Sequence, residues 1–153
     1  MSWSGGCQCG AIRFRAGRLG RASICHCRMC QKAMGGFFGP FVDAHDLEWT
    51  RGTPSHFRSS DTVQRGFCPA CGTPLSYQAK GWPVNLAIGA FDDPTGIVPV
   101  LQVGEEGKLP YTDHLADLAG RSPQEAAKVE GFYAKVVSRQ HPDHDTESWP
   151  LPN

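Results

Sequence analysis

Cys68-Pro69-Ala70-Cys71-Gly72-Thr73 places two thiols three residues apart and follows the second with a glycine. That is the composition of a metal knuckle, in which two thiolates reach one ion and the glycine allows the backbone to turn tightly beneath it. A tetrahedral site needs two more ligands. Cys7 and Cys9 precede a strand-like segment, and at a spacing of two in extended backbone their side chains point the same way. A site built from both pairs would fasten the first strand to the middle of the chain. Metal binding to a site assembled only in the fold contributes directly to folding. Tetrahedral thiolate sets of this kind take zinc or iron, and the knuckle favours zinc.

Cys25-His26-Cys27-Arg28-Met29-Cys30 holds the remaining three of seven cysteines. A structural zinc site closes with four protein ligands, whereas a catalytic one keeps a position open, so a set of three suggests an exchangeable site. Seven thiols cannot all enter disulfides, whereas a division into four plus three uses every one. Spacing leaves the pairing open: the outer pairs meet each other, or each combines with the triplet. His26 lies between two ligands and would be strained on the same ion, so it reads better as a residue that orients the site. Zinc held by three thiolates carries net negative charge and is a modest Lewis acid, better matched to an incoming thiolate than to polarising water. The rival readings of the triplet are a third structural arm, a thiol store, and a redox or metal-exchange site.

Around these groups the 153 residues suffice for one domain. Eighteen glycines and twelve prolines favour short elements and turns. Ile12 and Phe14 alternate with Arg13 and Arg15 as in a half-buried strand. Gly17 to Gly20 reads as a turn, and Ala22-Ser23-Ile24 as a separate short strand. Arg28 to Met34 suits one or two helical turns stopped at Gly35-Gly36. Phe37-Phe38-Gly39-Pro40-Phe41-Val42 is an aromatic extended run, read as core, with a cavity wall as the alternative. Further strands are expected at 47–49, 55–58, 63–67, 75–77, 84–91 (a central one) and within 97–103. Ser122-Pro123-Gln124-Glu125 is a capping box with proline at the first helical position. Apolar residues at Ala126, Val129, Phe132, Tyr133, Val136 and Val137 predict one stripe facing the sheet, in a helix ending near Arg139 or Gln140. Residues 1–140 read as a single domain and 141–153 as a polar, proline-containing tail.

Formal charge is zero, with 15 basic and 15 acidic residues. No electrostatic footprint of a nucleic-acid or anionic-membrane partner is present. The opening Met1 to Cys7 lacks the basic region and apolar core of a signal peptide. No apolar run is long enough to span a bilayer. Clustered thiols without an export signal belong to a reducing compartment, so the expectation is a cytoplasmic protein.

The segments Gly5-Gly6-Cys7-Gln8-Cys9-Gly10-Ala11-Ile12-Arg13-Phe14, Cys25 to Lys32, Gly35-Gly36-Phe37-Phe38 and Arg65-Gly66-Phe67-Cys68-Pro69-Ala70-Cys71-Gly72-Thr73-Pro74-Leu75 resemble, in order and spacing, the glutathione-dependent formaldehyde-activating family, which includes the centromere protein V-type proteins. The resemblance runs from about Gly5 to Ala90. It implies a mostly β domain, the β-tent, of short antiparallel strands organised by zinc, here with one C-terminal α-helix. It also implies two zinc ions per chain: a structural one on Cys7, Cys9, Cys68 and Cys71, and a catalytic one on Cys25, Cys27 and Cys30. The implied activity is that of a carbon-sulfur lyase, condensing glutathione as co-substrate with formaldehyde to S-hydroxymethylglutathione. On that basis His26 is expected beside the thiol site, Arg65 or Arg28 at a substrate carboxylate, and Phe37, Phe38 and Phe41 at the pocket wall. Tyr111-Thr112-Asp113-His114 either reaches the site or is a polar loop. The expected partners are a small thiol and a small aldehyde, and the alternative function is a non-catalytic zinc module for protein interaction.

Overall fold

The chain's longest strands, β2 (Arg13–Cys25) and β3 (Gly39–Arg51), pair antiparallel along nearly their whole length and form the spine of the fold. The structure, a computed structural model, describes residues 2–150; residue 1 and the tail's last residues, 151–153, lie outside it. Gly17 to Gly20 is not the turn expected from composition. Both glycines lie within β2, which changes register between Leu19 and Ala22. A side chain at Gly20 would come within 2.9 Å of Asp43 Cβ on β3. The glycines therefore permit close approach at a bulge instead of reversing the chain.

Strand β1 (Trp3–Gly6) precedes the spine, and β4 (Ser55–Arg58), β5 (Val63–Phe67), β6 (Pro74–Ala79), β7 (Val84–Ala87) and β8 (Leu101–Val103) follow it. The sheet order is β1-β2-β3-β7-β6-β5-β4, antiparallel throughout, while β8 pairs with β2 in parallel. β1 and β8 share the outer edge of β2. β1 covers its start, Arg13 to Ala16, and β8 its end, Ser23 to Cys25. The two cysteine-bearing turns thus leave opposite ends of one strand. β7 is central, as expected, although the chain leaves it as a 3-10 turn at Ile88–Ala90. Phe14, Leu75, Leu86, Val42 and Cys68 are fully buried, and Phe14 meets Trp49 and Phe91 edge-on at 5.9 and 5.0 Å.

The described residues form two α-helices. α1 (Arg28–Met34) ends at Gly35, where the composition placed the stop. α2 (Pro123–Tyr133) starts at the expected capping box, with Ser122 Oγ accepting from Glu125 N and the Glu125 carboxylate accepting from Ser122 N. Its packing differs from expectation. No residue of α2 is buried, and Phe132 and Tyr133 face solvent. With Gly131 in its last turn the helix stops at Tyr133. Val136 and Val137 therefore fall outside the stripe, which becomes too short to cover a sheet.

The polar tail, by contrast, is fastened. His141 is buried against Gly10, and its N–H donates to Gln8 O at 2.7 Å. Trp149 Nε1 donates to Cys9 O at 2.6 Å, and Arg51 donates to Thr146 O. Asp145 accepts from Arg13 at 2.8 Å and from Arg15 at 2.9 Å. Arg13 is itself buried and makes a bidentate pair with Asp92 at 2.7 and 2.6 Å. Burial raises the Asp92 carboxyl, but Arg13 and the Ser4 hydroxyl outweigh it and hold Asp92 below the ordinary range.

A group with a depressed folded pKa stabilises the fold above its unfolded value of about 3.9 and loses that contribution as pH falls through the folded value. Chemical denaturation should therefore show stability lost below about pH 4. Asp92→Asn, which removes the buried partner of a buried arginine, should cost about 3 kcal/mol near neutrality. Asp145→Asn, at a 39% exposed carboxylate, should cost under about 1 kcal/mol.

Candidate functional site

The seven thiols gather into two groups. Cys7, Cys9, Cys68 and Cys71 form one and Cys25, Cys27 and Cys30 the other, with the sulfurs of each group within 4.8 Å of one another. All seven are free. This resolves the pairing that spacing left open: the two outer pairs meet each other. Tetrahedral zinc with bonds of about 2.3 Å separates its sulfurs by about 3.8 Å. The Cys7–Cys9 and Cys9–Cys68 sulfurs lie 3.6 and 3.9 Å apart, far beyond a disulfide and matched to a shared ion.

Local backbone explains each group. Cys7 lies in a turn after β1, where Gly10 N donates to Cys7 O and Ile12 N to Cys7 Sγ. Cys68 and Cys71 lie in a turn after β5 closed by Gly72 N donating to Cys68 O at 2.8 Å. Gly72 has φ +78°, a left-handed conformation that glycine adopts without a Cβ penalty. Burial raises the Cys71 thiol, but the Thr73 hydroxyl at 3.1 Å and nearby backbone donors outweigh it and bring it to about 6.

In the triplet, Cys25 ends β2, Cys27 caps α1 and Cys30 lies in its first turn, where Cys30 N donates to Cys27 Sγ at 3.4 Å. Burial, together with the neighbouring Cys30 and Cys27 sulfurs, pushes the Cys25 thiol up to about 12. Burial also raises Cys27, but backbone donors of α1 overcome it and leave that thiol below its ordinary value. Three thiolates this close repel one another, and a cation among them removes the repulsion. The donor set therefore fits zinc.

These three cysteines line one end of a cavity of about 400 Å³. Its floor is a polar row across four strands. Asp43 on β3 pairs with Asn85 on β7, Asn85 with Tyr77 on β6, and Tyr77 with Arg65 on β5. Directly opposed residues share a face of the sheet, and all four line the cavity, with Arg21 and the exposed Trp82 also on its wall. Of the expected site residues, Arg65 and Phe41 lie on this cavity, while Phe37, Phe38 and Arg28 are not among its lining residues. Phe37 meets Tyr111 edge-on at 5.5 Å, and Arg28 donates to Gln31 Oε1 at 2.6 Å. His26 is buried, outside the sulfur group, with Nε2 2.9 Å from Gln102 Oε1 on β8 and its ring edge-on to Phe38. Thr112 and Asp113 lie with His26 on a separate cavity. Sequence reasoning missed Asp43, Tyr77 and Asn85. They are ordinary polar strand residues whose common face depends on register.

Residues 2–105 match the protein family described as glutathione-dependent formaldehyde-activating enzyme. The chain belongs to that family. The match spans both cysteine groups and the cavity floor, and it stops short of α2 and the fastened tail. A crystal structure of a Rhodobacter sphaeroides protein, a structural-genomics target, is similar in fold, with a TM-score of 0.51 and 22% identity over 65% of this chain and 99% of that one. The curated proteins contain no match to the chain. Among the described residues no helix is long and apolar enough to cross a membrane.

Metal analysis of the purified chain should find close to two zinc ions, one for each sulfur group. Cys27→Ala should stay folded and hold one. Cys71→Ser should unfold or aggregate, because the four-sulfur group joins distant parts of the chain and a structural zinc contributes about 10 kcal/mol or more. Equal damage from both substitutions would overturn this division of labour.

Proposed function

We propose that the chain is a zinc-dependent carbon-sulfur lyase-type enzyme that forms or cleaves the thiol adduct of a small aldehyde, with glutathione and formaldehyde as the pair the family implies. The observation that carries this reading is the three-sulfur group at the end of a cavity large enough for a small thiol and an aldehyde. In this reading Cys25, Cys27 and Cys30 hold the catalytic zinc, and Cys7, Cys9, Cys68 and Cys71 hold the structural one. When bound, the catalytic metal supplies an open position that binds a thiol and lowers its pKa.

The remaining work falls to the chain's own residues. The cavity confines thiol and aldehyde together, converting a bimolecular encounter into an oriented one. In the condensation the thiol sulfur forms a bond to the aldehyde carbon, the carbonyl electron pair moves to oxygen, and the proton released by the thiol ends on that oxygen. Burial and the neighbouring cysteines push the Tyr77 phenol up. It therefore stays protonated near neutrality and is suited to donate to the developing alkoxide. Arg21 at one side of the cavity is placed to take a substrate carboxylate in a charge-assisted bond. His26, held by Gln102, fixes the loop between Cys25 and Cys27 without entering the sulfur group.

Exchange spectroscopy of glutathione mixed with formaldehyde should show faster interconversion with S-hydroxymethylglutathione when protein carrying both zinc ions is present. Tyr77→Phe should slow that exchange by roughly 100-fold or more, the range for loss of a positioned proton donor. No acceleration by fully loaded protein would overturn the reading and favour a non-catalytic zinc module.

A further inference from the structure

The geometry points to Arg65 as the fixed counter-charge of the three-sulfur centre: a positioning residue that donates a hydrogen bond to Cys30 Sγ and lets the centre retain its metal. This inference rests on reading that group as a metal site. Arg65 is only 4% exposed on β5, and Cys30 beside it 2%. A guanidinium cannot shed its proton in a protein. Placing one in the interior is costly unless an anion and hydrogen-bond acceptors meet it.

Arg13, the other buried arginine, has two carboxylates. Among the described residues no carboxylate pairs with Arg65. Its Nη2 donates to Cys30 Sγ at 3.3 Å, its Nε donates to Ser59 Oγ at 2.9 Å, and its guanidinium carbon lies 5.0 Å from the centroid of the Tyr77 ring. With a metal held by the three sulfurs, Cys30 Sγ would be the anion facing this buried cation.

The charges close in the same way around a divalent metal. Three thiolates and zinc sum to minus one, and Arg65 brings the assembly to zero. An incoming thiolate would then leave a net charge of minus one instead of minus two. Ser59 accepts from the guanidinium and the Tyr77 ring lies beside it, a set of contacts that lysine's point charge cannot reproduce. Among the described residues no such arginine meets the four-sulfur group, and its backbone and Thr73 donors serve instead.

The test uses full-length zinc-loaded protein challenged with a chelator, and separately its cobalt(II)-substituted form. The four-sulfur zinc and the circular dichroism spectrum serve as internal controls for folding. In Arg65→Met the three-sulfur zinc should leave at least about tenfold faster than in the wild type while the four-sulfur zinc leaves at an unchanged rate, since loss of a charged hydrogen-bond partner typically costs an order of magnitude or more. Arg65→Lys should recover only part of the retention, since it restores the charge without the guanidinium's fixed hydrogen bonds. The cobalt thiolate charge-transfer band should move to longer wavelength in Arg65→Met, because a thiolate stripped of a hydrogen bond holds its electrons less tightly; a merely structural arginine would leave that band in place.

If Arg65→Met fails to fold, Ser59→Ala decides, since it frees the guanidinium without removing charge and should speed release several-fold. Wild-type release rates and an unshifted band in the folded variants would overturn the role of Arg65 alone. A wild type that holds one zinc, unaffected by Cys27→Ala, would instead overturn the metal reading beneath it.

Discussion

Thiolates cannot crowd together without a cation between them, and that constraint organises the whole molecule. Seven sulfurs lie in two groups whose members are within 4.8 Å of one another. At such spacings like charges raise one another's pKa and favour protonation until a metal replaces the protons. The four-sulfur group spans the turn after β1 and the turn after β5, so satisfying its sulfurs also sets the relation between the start and the middle of the chain. The binding energy of such a site is comparable with the whole stability of a small domain. A metal held there would be an effective joint for a sheet of short strands around so modest a core.

The length of β2 decides how the second group relates to the first. Thirteen residues separate the turn carrying Cys7 and Cys9 from the turn carrying Cys27 and Cys30. One group is tied into the core, and the other opens onto a cavity. β5 links them a second time, since Arg65 within it reaches Cys30 while Cys68 just beyond it belongs to the four-sulfur group. The two buried arginines mark the same rule applied to different anions. Arg13 meets Asp92 and Asp145 at the edge where the tail is fastened, and Arg65 meets a sulfur at the edge of the cavity.

Much of the architecture was legible from local signals. The bounds of β4 and β5, the α1 stop at Gly35, the capping box at Ser122 and the knuckle at Cys68 all depend on residues within a few positions of one another. Readings that needed a partner fared differently. Gly17 and Gly20 carry the composition of a turn, yet pairing with β3 keeps them in a strand. The apolar stripe of α2 is real in sequence, but a helix that stops at Tyr133 buries none of it. The tail is polar in composition, yet it holds a buried histidine and an aspartate shared by two arginines.

By itself the sequence determined that the chain carries thiols in metal-ligand spacing, because cysteine spacing and flanking glycines are local chemistry that survives in any fold able to bring the sulfurs together. It likewise determined that the domain is built from strands, through short apolar runs punctuated by turns. Spacing alone left open which cysteine pairs share a site, and the tertiary structure groups them as the resemblance implied, by bringing residues far apart in the chain together across the sheet. The row from Asp43 through Asn85 and Tyr77 to Arg65 is also a product of strand register. A one-residue slip would turn any of these side chains to the opposite face, so no local pattern could have placed them on one cavity floor.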